Sequence, residues 1–154
     1  MDKEQLISKL NWFYSLELNQ VDLYIAQSRT FEGTYIGQAF ERIAYIEQQH
    51  VDNIAEKIKE MGGIPTKTGD VISPIIGSIA GKLISFSGLK NTLKANILIE
   101  HKAMKDYKDL IEAIKLENQD QELLKILQNN HVDEDLHTAW FSEKLNELQP
   151  EKGL

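Results

Sequence analysis

The chain contains no cysteine. That excludes disulfides, thiolate zinc sites, iron–sulfur clusters and a thiol nucleophile. Proline is scarce, with three in 154 residues, and together with the nine glycines it gathers at 33–37, at 62–88 and at the C-terminal end. The stretches between are left without helix breakers. No run of about 18 uncharged apolar residues occurs, so no membrane-spanning helix is expected. The nearest approach, VISPIIGSIAGKLISFSGL at 71–89, is interrupted by Pro74, by glycines and by Lys82. The opening MDKEQLISKL lacks the apolar core of an export signal, so a cytoplasmic location is expected. Seventeen basic against 24 acidic side chains give a net charge of -7 and no basic face. Nucleic acid is therefore not an expected partner. The Gly-rich fingerprint of flavin or nicotinamide binding is missing as well, so redox work would need an external electron donor.

What the chain has in quantity is helical periodicity. Strand-like alternation appears nowhere at useful length. Residues about 3–31 place Leu6, Leu10, Tyr14, Val21, Tyr24 and Ser28 on one stripe, with Glu17 among them. Residues about 34–61 align Phe40, Ile43, Ile54, Ile58 and Met61 with Glu47 and His50. Residues about 89–117 align Leu93, Ile97, Met104, Tyr107, Ile111 and Ile114 with Glu100. Residues about 120–148 align Leu123, Leu127, Phe141, Leu145 and Leu148 with Asn130, Glu134 and His137. Steps of three and four mark amphipathic helices. Short links join the first pair and the second pair, and about 27 residues, 62–88, separate the pairs. The expected fold is a single all-α domain: a four-helix bundle with one long crossover between helices two and three, the ferritin-like variant.

Six polar residues stand in stripes that should be apolar: Glu17, Glu47, His50, Glu100, Glu134 and His137. Each falls near the middle of its helix. An ionised carboxylate in an apolar core costs several kcal/mol, and no lysine or arginine stands at that level to balance four of them. Two divalent cations would. Positions i and i+3 share a helix face, so Glu-x-x-His presents both donors together. Carboxylate with imidazole favours iron or manganese over thiolate-loving metals. The plain alternative is a set of satisfied polar core residues. One Glu-x-x-His arises easily by chance. Two of them at mid-helix, each with a further mid-stripe glutamate in the same half of the chain, do not.

The order Glu17, Glu47-x-x-His50, Glu100, Glu134-x-x-His137 resembles the ligand set of ferritin-like di-iron carboxylate proteins over nearly the whole chain. The resemblance implies two irons, with manganese or mixed metals as variants. It makes Glu47 and Glu134 the bridging carboxylates, Glu17 and Glu100 the terminal ones, and His50 and His137 the nitrogen ligands. Gln48 stands where bacterioferritins carry a haem-ligating methionine, so no haem is expected. The chain closes with QPEKGL soon after the fourth helix, where ferritins usually have a short fifth helix, so a storage cage is not expected. Rubrerythrins have an extra glutamate on the third helix; here Ile97 and Ala103 flank Glu100.

Within the superfamily the chain is most similar to the demethoxyubiquinone hydroxylase family, in its size, its ligand spacing and the crossover GGIPTKTGDVISPIIGSIAGKLISFSGLK. That family has a His-Tyr pair after the third-helix glutamate; here it is Asp106-Tyr107. The resemblance implies a monooxygenase acting on a quinone- or phenol-like ring, with Tyr107 beside the metals and an apolar substrate. It also implies peripheral membrane contact through 71–89, which could equally just cover the bundle. Two other readings stay open: a rubrerythrin-like peroxide reductase or ferroxidase, and a non-enzymatic metal-binding module. Dioxygen or hydrogen peroxide is the co-reactant in the first two, and a homodimer is an admissible assembly. Tyr24, Asn130, Asp106 and Asp133 are further residues that could orient ligands or line a cavity. His101 and His131 read as surface residues.

Overall fold

The computed structural model describes residues 1–80, 88–117 and 120–149. All regular elements among them are helices: α1 (Lys3–Thr30), α2 (Tyr35–Glu60), α3 (Ile72–Ala80), α4 (Gly88–Leu116) and α5 (Gln121–Leu148). The chain divides into two compact units, Met1–Ile72 and Ser73–Leu154.

In the first unit α1 and α2 form a hairpin, joined by the four residues 31–34. Asp2 and Gln5 start α1 with a reciprocal capping box. Thr34 caps α2 by accepting from the Gly37 amide at 3.1 Å. Residue 37 must be glycine for a further reason: a Cβ there would collide with the Phe31 carbonyl oxygen. α2 stops in a Schellman turn. Gly62 adopts φ +80°, its amide donates to the Lys59 carbonyl, and Gly63 donates back to Ile58.

The inner face of α1 differs from the expected stripe. Tyr14 and Ser28 are half-buried, while Phe13, Leu16, Gln20 and Gln27 are inside. The cause is the width of a core-facing stripe, about 100° or more, which admits both three- and four-residue neighbours of each anchor. On α2, Phe40, Ile43, Ile54 and Ile58 are buried as expected, and Met61 is half-buried.

The chain leaving α2 is strapped to α1 by three polar side chains spaced four apart, Asn11, Ser15 and Asn19. The Thr66 amide donates to Asn11 Oδ1 at 2.7 Å, Thr68 to Ser15 Oγ at 2.9 Å and Val71 to Asn19 Oδ1 at 3.2 Å. Asn19 Nδ2 returns a bond to the Gly69 carbonyl at 3.1 Å. Numbers rise together on both sides, so the segment runs alongside α1 in α1's own direction. Non-helical backbone needs partners when it packs on protein, and this side-chain ladder supplies them. The crossover therefore starts out towards the opposite end of the α1–α2 hairpin, the direction a long crossover requires.

α3, a helix of nine residues that the periodicity did not suggest, starts on Ile72, the last residue of the first unit, and continues into the second. Its Ile72, Ile75 and Ile76 are buried, an i, i+3, i+4 set too short to stand out in a glycine-rich sequence. Residues 81–87 of the apolar stretch 71–89, including Lys82, lie outside the described residues, as do the link at 118–119 and the tail at 150–154. No helix among the described residues is long and apolar enough to cross a membrane. α4 and α5 pack against each other, and Asp120 caps α5 by accepting from the Glu122 and Leu123 amides. Leu93, Ile111, Ile114, Leu123, Leu127 and Phe141 are buried as expected. Ile97, Met104 and Leu145 are half-buried and Leu148, in the last turn of α5, is exposed.

Candidate metal centres

The six polar stripe residues are all buried. Glu17, Glu47, Glu100 and Glu134 have no exposed surface, and His50 and His137 have 2% and 5%. Mid-helix placement explains how three meet in each unit. Antiparallel helices of matched length bring their midpoints level, and each supplies its inward residue there.

In the first unit α1 gives Glu17, and α2 gives Glu47 and His50. His50 Nδ1 lies 2.9 Å from Glu47 Oε2 and 3.4 Å from Glu17 Oε2. In the second unit α4 gives Glu100, and α5 gives Glu134 and His137. His137 Nδ1 lies 3.7 Å from Glu134 Oε2 and 3.8 Å from Glu100 Oε1. The same ring nitrogen faces both carboxylates in each case. Within each triad one ligand atom per residue lies within 4.8 Å of the others. Two donors each about 2.1 Å from a common ion are at most about 4.2 Å apart, so a slight contraction closes either triad on a metal.

Charge points the same way. Each triad buries two carboxylates, and a divalent cation with a neutral imidazole cancels both. A protonated histidine alone would leave one negative charge buried. The donors are hard oxygen and borderline nitrogen, and no sulfur ligand is present. That set fits iron or manganese.

The surrounding polar residues divide differently from the expectation. Tyr107 is fully buried, and its hydroxyl accepts from Asn130 Nδ2 at 3.2 Å. Asn130 sits one turn before Glu134, so this bond ties α4 to α5 next to a triad residue. Thr138, one turn after Glu134, donates to the Glu134 carbonyl at 2.8 Å. Asp106 does not orient a histidine: Lys102 holds both its oxygens at 2.6 Å. Tyr24 is buried, Asp133 and His131 are half-buried, and His101 is exposed. Sequence reasoning missed Gln20, which is fully buried one turn after Glu17. The signal was present, because Glu17-x-x-Gln20 repeats the spacing of the two Glu-x-x-His pairs.

Comparison with known proteins adds the decisive observation. The ferritin-like domain family matches residues 7–150. This chain belongs to the ferritin-like family. The all-α, four-helix-bundle fold class read from the periodicity is thus the family's fold. A relative is a bacterioferritin of Desulfovibrio desulfuricans (strain ATCC 27774 / DSM 6949 / MB), 34% identical over 76 residues. That match spans 46% of this chain and 42% of the relative, less than half of either. For a ferritin-like chain, two buried carboxylate–histidine triads fit metal binding.

Proposed function

We propose that each triad binds one iron ion, two per chain, and that the protein is an oxidoreductase reducing hydrogen peroxide or dioxygen at ferrous iron. One observation carries this reading: the triad of two buried carboxylates and one histidine Nδ1 occurs twice, once per unit, in a ferritin-like chain. Glu17, Glu47 and His50 would hold one ion, and Glu100, Glu134 and His137 the other. By the resemblance, Glu47 and Glu134 would be the carboxylates shared between the ions. Iron held there would supply the electrons that reduce an oxygen substrate. The chain's own residues set the conditions. The carboxylates neutralise the cations, the imidazoles add neutral nitrogen ligands, and full burial keeps bulk water away.

The bacterioferritin relative supports iron as the metal. A monooxygenase of the demethoxyubiquinone hydroxylase type is the second reading. Tyr107 favours it, as the half of that family's His-Tyr pair that this chain keeps, buried here and bonded to Asn130. That reading needs an external donor and an apolar ring substrate.

The deciding experiment loads the protein anaerobically with ferrous iron and mixes it separately with dioxygen and with hydrogen peroxide, following oxidation optically. Faster oxidation by peroxide, unchanged by a quinone analogue, is the expected result. Fast reaction with dioxygen and hydroxylation of the analogue would replace it with the monooxygenase. Oxidation by neither would leave a passive metal-binding protein.

A further inference from the structure

Among the described residues, Gln20 is a fully buried amide whose burial the di-iron reading leaves unexplained. Its side chain is fully buried on α1. Neither its amide nitrogen nor its amide oxygen has a hydrogen-bond partner among the described residues. Buried amides are nearly always satisfied, and an exception calls for a cause. A leucine or methionine would fill the same space without that cost.

Its position supplies the cause. Residues three apart on a helix are surface neighbours. A helical side chain leans back over the turn N-terminal to its own Cα. Gln20 therefore leans over Glu17, which belongs to the triad with Glu47 and His50. Resting on the di-iron reading, we propose that Gln20 is a ligand-binding residue. Its amide hydrogen-bonds hydrogen peroxide beside the ion held by Glu17, Glu47 and His50, and water takes that place in its absence. The chemistry selects the ligand. An amide offers N–H donors and a carbonyl acceptor. Hydrogen peroxide and water can bond to both. Dioxygen has no proton to give the carbonyl, so Gln20 discriminates for peroxide against dioxygen.

The test uses the full chain and Gln20→Met, which keeps the length of the side chain and removes its hydrogen bonds. Gln20→Asn, which keeps an amide but withdraws it by one methylene, is the second variant. Zinc is a redox-inert probe, so hydrogen peroxide can be titrated calorimetrically into the zinc-loaded protein. The expected result is unchanged zinc stoichiometry with peroxide affinity lowered about tenfold in Gln20→Met and less in Gln20→Asn. In the iron-loaded protein the ratio of peroxide to dioxygen oxidation rates should fall by a similar factor. The metal-free Gln20→Met protein should melt at least as high as wild type, because a buried amide and the water it immobilises have been replaced by an apolar side chain. Unchanged peroxide affinity with zinc still bound would overturn the role of Gln20 alone. Failure of wild type to bind zinc at the triads would overturn the metal reading and this proposal with it. A lower melting temperature with an unchanged rate ratio would make Gln20 a packing residue.

Discussion

The two units carry the same donors in the same order, yet they support them differently. In the first, His50 Nδ1 sits 2.9 and 3.4 Å from its carboxylates, and Gln20, one turn after Glu17, has no side-chain hydrogen-bond partner among the described residues. In the second, the corresponding distances are 3.7 and 3.8 Å, and the nearby amide of Asn130 is bonded to Tyr107. A satisfied amide fixes a helix pair. An unsatisfied one keeps its bonding capacity for something that arrives later. On the proposed reading, the repeated donor pattern sets what both halves would hold, and the residues one turn away set how the halves would differ in use.

The strongest way to break this comparison is to remove a carboxylate from either unit. Glu134→Ala is expected to abolish stoichiometric iron binding, and Glu47→Ala to do the same, as counted by anaerobic titration. Both metal-free variants should be at least as stable as wild type, since each loses a buried negative charge. A variant that still held two irons per chain would refute the ligand assignment.

Metal removal comes next. A ligand present at a thousandfold over its dissociation constant stabilises by about 4 kcal/mol. For a chain of this size that is a melting shift of about 8–16 °C. Calorimetry of loaded and metal-free protein should show it, and a shift below a degree would speak against specific sites.

The Tyr107–Asn130 bond sharpens the contrast on the second unit. Tyr107→Phe strips the acceptor from a buried amide and should cost about 1–2 kcal/mol. Asn130→Ala should cost a similar amount. The double variant should cost less than their sum, a non-additivity measurable by urea unfolding.

The smallest effect belongs to the surface of α4. Lys105 Nζ lies 2.6 Å from Asp109 Oδ2, and hydrogen bonding to Lys105 lowers the Asp109 carboxyl below its ordinary value of 3.8. A depressed acid stabilises the fold above its unfolded pKa and loses that contribution as pH falls through its folded pKa. Asp109→Asn should therefore flatten the acid limb of the stability curve slightly below pH 4. Both groups are solvent-exposed, so added salt should erase the difference.

Much of this was legible in the sequence because it rests on long periodic signals. Helices of 26–29 residues repeat their pattern through many turns, and a glutamate or histidine inside such a pattern is conspicuous. Short or polar signals were lost. α3 has too few turns to show a period between glycines. Gln20 fell beside the counted stripe because Val21 already filled the next step. The ladder of Asn11, Ser15 and Asn19 reads as an ordinary solvated face until the chain leaving α2 is seen lying on it. Asp106 looked like a partner for a histidine, but a lysine one turn away, Lys102, claims it first.

Counting metal in single-histidine variants tests most directly whether each triad holds one metal. Wild type, His50→Ala and His137→Ala would be loaded anaerobically with ferrous iron, freed of excess and assayed for bound metal per chain. Two ions in wild type and one in each variant is the predicted result. Two ions in both variants, or none in wild type, would contradict it.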